Sequence, residues 1–337
     1  MIHSSEKVVE VQRAGLKESA HNGFIVVVDD TGRVLHAIGN PQEIVFARSA
    51  AKPLQAIAIL DNGADEKYTL RAEEIALMCA SHNGEQLHVN AVNKMLNKLE
   101  LNDSDLSCGI HMPFHRASTE EMTRNQVQAT TLHNNCSGKH AGMLALAKTL
   151  GVPTLHYAQP EHPVQLAMRK VVAEMAGLSA EQLQLGIDGC GVPVFALPLA
   201  NLATAYARLG TGHACSDIRK KSTATIIAAI SQHPEYIAGD DRYDTLLIRT
   251  TSGRIIGKMG AEGVFALCIP SQKIGIGIKI EDGNFRALYP TVTETLRQLG
   301  YLSDEEHAAL LEWHPSVIRN HAGTEVGLIQ PCFQLVN

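Results

Sequence analysis

Three short segments hold residue types whose spacing suits acyl transfer. The first is Ser49-Ala-Ala-Lys52, a Ser-x-x-Lys. A spacing of three on a helical turn puts hydroxyl and amine on one face, within mutual reach. Pro53 follows at once. Its missing N–H is tolerated only around the first turn of a helix, so Ser49 and Lys52 belong at a helix entrance. Amide dipoles there favour negative charge developing on an attacked carbonyl. The same spacing recurs at Ser4-Ser5-Glu6-Lys7, in a polar tail with no apolar helix behind it, and that copy is discarded. The second segment is Ser81-His82-Asn83, which follows the apolar stretch 75–80; alone it reads as a helix end followed by a cap for the next helix. The third is Lys258-Met259-Gly260, a Lys-x-Gly. Lys273-Ile274-Gly275 has the same form, but Lys258 is preferred because two strand-like runs and a helix follow it. Lys273 opens the last run and is expected to be a solvated edge lysine.

The order Ser-x-x-Lys, Ser-x-Asn, Lys-x-Gly matches that of serine β-lactamases and penicillin-binding proteins. A serine hydroxyl is a poor nucleophile until a base takes its proton, and a lysine serves as base only if desolvation or a second cation weakens its hold on its own. Lys52 and Lys258 supply such a pair of amines if the fold brings them together, with Ser81 able to pass a proton between them. A second constellation lies elsewhere. Asn134-Asn-Cys136-Ser-Gly-Lys139-His-Ala-Gly142 places a thiol at a helix entry, and Asp188-Gly-Cys190-Gly-Val-Pro193 places a carboxylate and another thiol in a glycine-rich turn. Two such distant cysteines are no zinc signature, and spacing alone reads them as buried thiols, although Gly and polar flanks are an odd setting for core packing. His82, His111, His115, His133 and His140 share this half without a ligand interval and read as surface or satisfied core histidines.

The elements that must position these groups follow from hydrophobic period. Residues 23–28 and 33–38 are β-branched runs around an Asp/Gly turn, a β-hairpin. From about 50 to 240 the period is helical, with helices expected over 86–99 and 138–150 and a capping box at Ser118/Glu121. Strand character returns at 254–258, 264–269 and 274–280, before a helical segment at 285–299. The economical arrangement is an α/β fold: a central antiparallel sheet from N- and C-terminal strands (about 8–48 and 245–337), with a helical lobe (about 49–244) inserted between. The crevice between sheet and lobe is the expected pocket.

Composition narrows the function. Of 337 residues 45% are hydrophobic and 19% charged, which suits a globular enzyme and excludes disorder. Twenty-nine Lys+Arg against 35 Asp+Glu, with 4% aromatics, offer neither a phosphate-tracking groove nor a base-stacking platform, so no nucleic-acid partner is expected. The clean apolar run 24–28 is far too short for a membrane span. Seven scattered cysteines, and an N-terminus without a signal-peptide layout, lead to an expectation of reduced thiols and a cytoplasmic location.

From about residue 20 onward the chain resembles the class 3, or Rhizobium-type, L-asparaginases. The resemblance rests on segments 47–55, 79–85, 135–143, 188–193 and 257–263. It implies a serine β-lactamase-like fold and hydrolysis of L-asparagine to L-aspartate and ammonia. It also implies Ser49 as nucleophile with Lys52 as its base, Ser81 and Lys258 as a second Ser–Lys pair, and Arg48 and Asp188 at the substrate. Cys136, Lys139 and Cys190 would ligate a zinc ion that tunes substrate binding without activating water, in a homodimer. A glutaminase or β-lactamase-like serine hydrolase is the enzymatic alternative. A non-catalytic amino-acid or metal sensor is the third reading, disfavoured because a sensor needs neither Ser–Lys pair.

Overall fold

A computed structural model describes residues 5–314 and 316–335; Ser4 of the discarded Ser-x-x-Lys lies outside them. Strands are β1 (Glu6–Arg13), β2 (Leu16–Asp29), β3 (Val34–Ile38), β4 (Ile44–Phe46), β5 (Gln184–Ile187), β6 (Pro193–Pro198), β7 (Ile256–Gly260), β8 (Val264–Ile269), β9 (Ile274–Ile280), β10 (Val317–Arg319) and β11 (Glu325–Pro331). Helices are α1 (Lys52–Asp61), α2 (Ala64–Lys67), α3 (Ala72–Met78), α4 (Gln86–Lys98), α5 (Arg116–Arg124), α6 (Ser137–Leu150), α7 (Pro163–Ala176), α8 (Leu199–Thr211), α9 (Asp217–Gln232), α10 (Tyr243–Thr250), α11 (Phe285–Gln298) and α12 (Asp304–Trp313).

The expected sheet is present. Its order is β10-β11-β1-β2-β9-β8-β7, with β3 paired to β2, and every pairing is antiparallel. N-terminal and C-terminal strands meet where β2 pairs with β9, from Gly23↔Ile280 to Asp29↔Ile274. The alternation of β2 sorts its side chains between two cores. Val26 and Val28 face the helical lobe, in one apolar cluster with Leu54, Leu77 and Leu144. Ile25 and Val27 face the other way, packed with Leu288, Val292 and Leu296 of α11. No helix among the described residues is long and apolar enough to cross a membrane.

Several expectations need correction. Five strands were legible, but the described residues form eleven. The short β5 and β6 lie inside the region read as helical and, with β4 from just before it, make a separate three-stranded sheet, while β1, β10 and β11 extend the main sheet. In β11 no residue is fully buried, so its sequence lacks the apolar signal that marks a strand. Lys273 immediately precedes β9 and is exposed, as expected, in a left-handed turn at φ 58°, but β9 is flanked by β2 and β8 and is not an edge. Helix α5 is capped by His115, whose ring accepts the Ser118 N–H, so Ser118 lies inside the first turn and is not the cap.

The Ile-Gly-Ile-Gly-Ile run of β9 explains how the lobe docks on the sheet. Its isoleucines fill the α11 side, while its glycines face α8. A Cβ on Gly275 would stand 2.0 Å from the Ala203 carbonyl oxygen and 2.7 Å from the Ala207 nitrogen, both helix backbone. Neither can yield without moving α8 as a body. Gly275→Ala is therefore expected to lower stability by about 3 kcal/mol, the upper end of ordinary overpacking costs, measured by denaturant unfolding against wild type.

Candidate active site

Ser49 sits on a 3₁₀ turn, Arg48–Ala51, that runs directly into α1 with Pro53 in the first turn. The helix-entrance placement read from Pro53 is what forms. Arg48 has φ 47°, the left-handed region, which for a side-chain-bearing residue costs about 1–3 kcal/mol and persists only when surroundings over-determine it. Four contacts do so here. The Ala47 N–H donates to the Phe195 carbonyl on β6 at 2.9 Å, and the Tyr206 hydroxyl of α8 donates to the Ala50 carbonyl at 2.8 Å. Arg48 Nε donates to Asp188 Oδ1 at 2.9 Å. Finally, Gly260 ends β7 against the turn; a Cβ there would lie 2.7 Å from the Ala47 oxygen and 3.3 Å from the Ala50 nitrogen. The Gly of Lys-x-Gly is thus the residue that lets the sheet abut the serine turn.

The Ser49 hydroxyl is half-buried and makes no hydrogen bond among the described residues. Lys52 is 1% exposed, and its Nζ donates to Ser81 Oγ at 3.0 Å and to the Ala80 carbonyl. Lys258 is 0% exposed, and its Nζ donates to Asp244 Oδ2 at 2.8 Å and to the Met259 carbonyl at 3.1 Å. The pairing therefore differs from expectation: Ser81 is bonded to Lys52, and Lys258 is bonded to Asp244. Burial pushes Lys258 down to about 8, opposed by the Asp244 carboxylate and helped by the positive charge of Lys52. Asp244, in the first turn of α10, belongs to no motif in the chain, and nothing in its sequence spacing points to Lys258. Asn83 also points elsewhere: it is bonded to Asp241 and accepts from Arg242 Nη1 at 2.8 Å, clamping the loop before α10.

The thiol constellation adjoins this site. Cys136 caps α6, and Lys139 lies one turn on, so a single helix entry carries both. Cys190 lies in the turn closed by the Gly191 N–H to the Asp188 carbonyl, 2.9 Å. Lys139 Nζ stands 3.0 Å from Cys190 Sγ, and the Cys136 thiol donates to the same sulfur. That hydrogen bond, with burial opposing and the Lys139 charge helping, holds Cys190 at about 4, a thiolate; its partner Cys136 is pushed up to about 12 by the same bond and by burial. Asp188 is raised by burial, but Lys139 and Arg48 outweigh this and hold it below the usual carboxylate range. Arg48 thus ties the serine turn to the turn that carries Cys190. Among the described residues no three His, Cys, Asp or Glu side chains are grouped to hold a metal; the amine of Lys139 is the further donor beside the two sulfurs. Two sulfurs and one amine, all nearly buried and already in contact, suit a thiophilic divalent cation.

The histidines read from sequence as satisfied largely are so. His82 accepts the Gly84 N–H at Nδ1, bonds Ser137 Oγ through Nε2 at 2.9 Å, and stacks on His88 at 4.8 Å. Burial, with the neighbouring histidines and Lys52, lowers it well below its ordinary value, so it is a neutral structural group.

A sheet with an inserted helical lobe, and a serine on a strained turn beside buried lysines where they meet, is the α/β arrangement expected from the sequence. The chain belongs to the L-asparaginase II family, whose model matches residues 9–331, and the family is one of amidohydrolases. Among solved structures it is similar to a β-lactamase from Mycobacterium bovis, at 16% identity and a TM-score of 0.43 over 83% of this chain and 95% of that one. It is also similar to Mglu in its L-glutamate binding form, at 13% identity and a TM-score of 0.41 over 90% of this chain and 65% of that one. No curated protein matches the chain.

The abutment of Gly260 on the serine turn is open to test. Gly260→Ala should lower kcat/KM for amide hydrolysis by about 100-fold, the scale of a 1 Å misplacement of a reacting group. Circular dichroism should be unchanged, because the added methyl meets one turn and no core side chain of another layer.

Proposed function

We propose that the protein hydrolyses L-asparagine to L-aspartate and ammonia through a covalent acyl-enzyme. The observation that carries the choice of substrate is the Arg48–Asp188 pair beside the nucleophile turn. A free amino acid presents an α-carboxylate and an α-ammonium together, and a neighbouring guanidinium and carboxylate answer both charges at once. A β-lactam nucleus offers no free ammonium of this kind. L-Glutamine carries the same two groups on a chain one methylene longer, and it is the second reading the site supports.

In this mechanism Ser49 Oγ attacks the side-chain amide carbon, and its proton passes to the Lys52 amine with Ser81 as relay. The tetrahedral intermediate collapses as the amide nitrogen takes that proton and leaves as ammonia, so the C–N bond breaks and a serine ester remains. Water then attacks the ester, gives its proton to the same relay, and aspartate departs with Ser49 restored. Cys136, Lys139 and Cys190 are proposed to hold zinc; bound there, the ion would replace the protons of the thiol and the ammonium and add fixed positive charge next to Asp188. Those three side chains orient the Asp188 turn toward the substrate, while Ser49, Lys52 and Ser81 perform the acyl transfer. The homodimer implied by the family resemblance belongs to the same proposal.

Ser49→Ala is expected to reduce ammonia release from L-asparagine by at least about 1,000-fold while the purified variant keeps its zinc content. Retained turnover would remove the nucleophile assignment. Parallel assays with L-glutamine and a chromogenic β-lactam rank the three acyl groups, and asparagine is expected to lead. Removing metal with a chelator should raise KM more than it lowers kcat, because the three ligands act on substrate positioning.

A further inference from the structure

Lys258 and Asp244 are buried more completely than the partners of any other ion pair among the described residues, at 0% and 1% side-chain exposure. Asp244 Oδ2 accepts a hydrogen bond from the Lys258 ammonium at 2.8 Å and another from the Met259 N–H at 3.2 Å, so it grips both the side chain and the strand of the Lys-x-Gly segment. Asp244 Oδ1 meets no donor among the described residues. The carboxylate lies in the first turn of α10, where the amide dipoles favour its charge. Around the pair, Lys52 of α1 and Arg242 at the start of α10 bring positive charge, and Arg48 on the serine turn is already paired with Asp188. Cys79 and Tyr206 face the pair from α3's end and α8; burial raises both, so they stay neutral. Two buried amines therefore share one region with a single bonded carboxylate, and that carboxylate is on Lys258. The other amine, Lys52, has only neutral acceptors, Ala80 O and Ser81 Oγ.

We propose that Asp244 is a positioning residue that holds Lys258 as a cation turned away from Ser81, so that the proton of Ser49 goes to Lys52 alone and Lys258 serves as fixed positive charge. The inference rests on the serine hydrolase reading and deepens it by dividing the two lysines into a base and an electrostatic group. It replaces a symmetric pair of Ser–Lys dyads with one dyad and one buried ion pair. Burial leaves Lys258 an ammonium below about 8 and neutral above, with Asp244 opposing that loss. The sign follows: a required cation makes activity fall as pH rises through that range, whereas a required base makes it rise.

The test is the pH profile of kcat/KM for wild type and Asp244→Asn, with circular dichroism on each. Without the carboxylate Lys258 loses its proton more readily, so the alkaline limb should move at least one pH unit lower while the acidic limb stays. An acidic limb that moves lower, with activity gained near pH 6, makes Lys258 the base and overturns the proposal. Limbs that stay in place reduce Asp244 to a structural role and overturn it as well. If Asp244→Asn does not fold, the wild-type profile decides: a fall above about pH 8 supports the cation, and a rise without a later fall overturns it. Ser49→Ala run alongside separates the two ideas, because turnover surviving there removes the hydrolase reading and this inference with it, while its loss beside unmoved limbs overturns only the role of Asp244.

Discussion

Two lysine amines are held almost entirely out of water within electrostatic reach of each other, and the rest of the site is arranged around that constraint. Taking an ammonium out of water costs several kcal/mol unless acceptors replace the lost solvent. Lys52 is answered by a backbone carbonyl and a serine hydroxyl, Lys258 by a carboxylate and a carbonyl. The two solutions are chemically different. One set of acceptors is neutral and the other includes an anion, so the two buried amines sit in unlike surroundings.

The second constraint is backbone strain at the nucleophile. Arg48 adopts a left-handed conformation immediately before Ser49, and a strand, a helix, a loop and the sheet end each hold the turn there. These tethers come from β6, α8, the Asp188 turn and β7, which lie far apart in the chain. The serine turn is therefore a meeting point of both lobes, and its geometry depends on how α8 docks on β9 through the glycines at 275 and 277.

Charge runs continuously from the serine turn to the thiol cluster. Arg48 meets Asp188, Asp188 feels Lys139, and Lys139 touches the Cys190 sulfur, which also feels Lys52. Two anions, Asp188 and the Cys190 thiolate, thus interleave with Arg48 and Lys139 over a short path. A cation bound by the sulfurs would shift this balance on the substrate side without touching Ser49, which gives a physical reason for separating binding from bond breaking.

Much of this was legible in one dimension. Pro53 announced a helix start at Lys52 because a residue without an N–H fits only there, and the β-branched runs at 23–28 and 274–280, bounded by turn residues, announced the central strands. Segment resemblance pointed to Lys52, Ser81 and Lys258, which the fold brings into one buried region. Local sequence could not say that Ser81 bonds Lys52, that Asp244 holds Lys258, or that β5 and β6 of the helical insertion pair with β4 in a small sheet. Side-chain pairing across long loops depends on which elements pack together and at what distance, and no periodicity encodes that. Residue types and local conformation were set by the chain itself; which buried amine received the carboxylate was decided only when α10 came to rest beside β7.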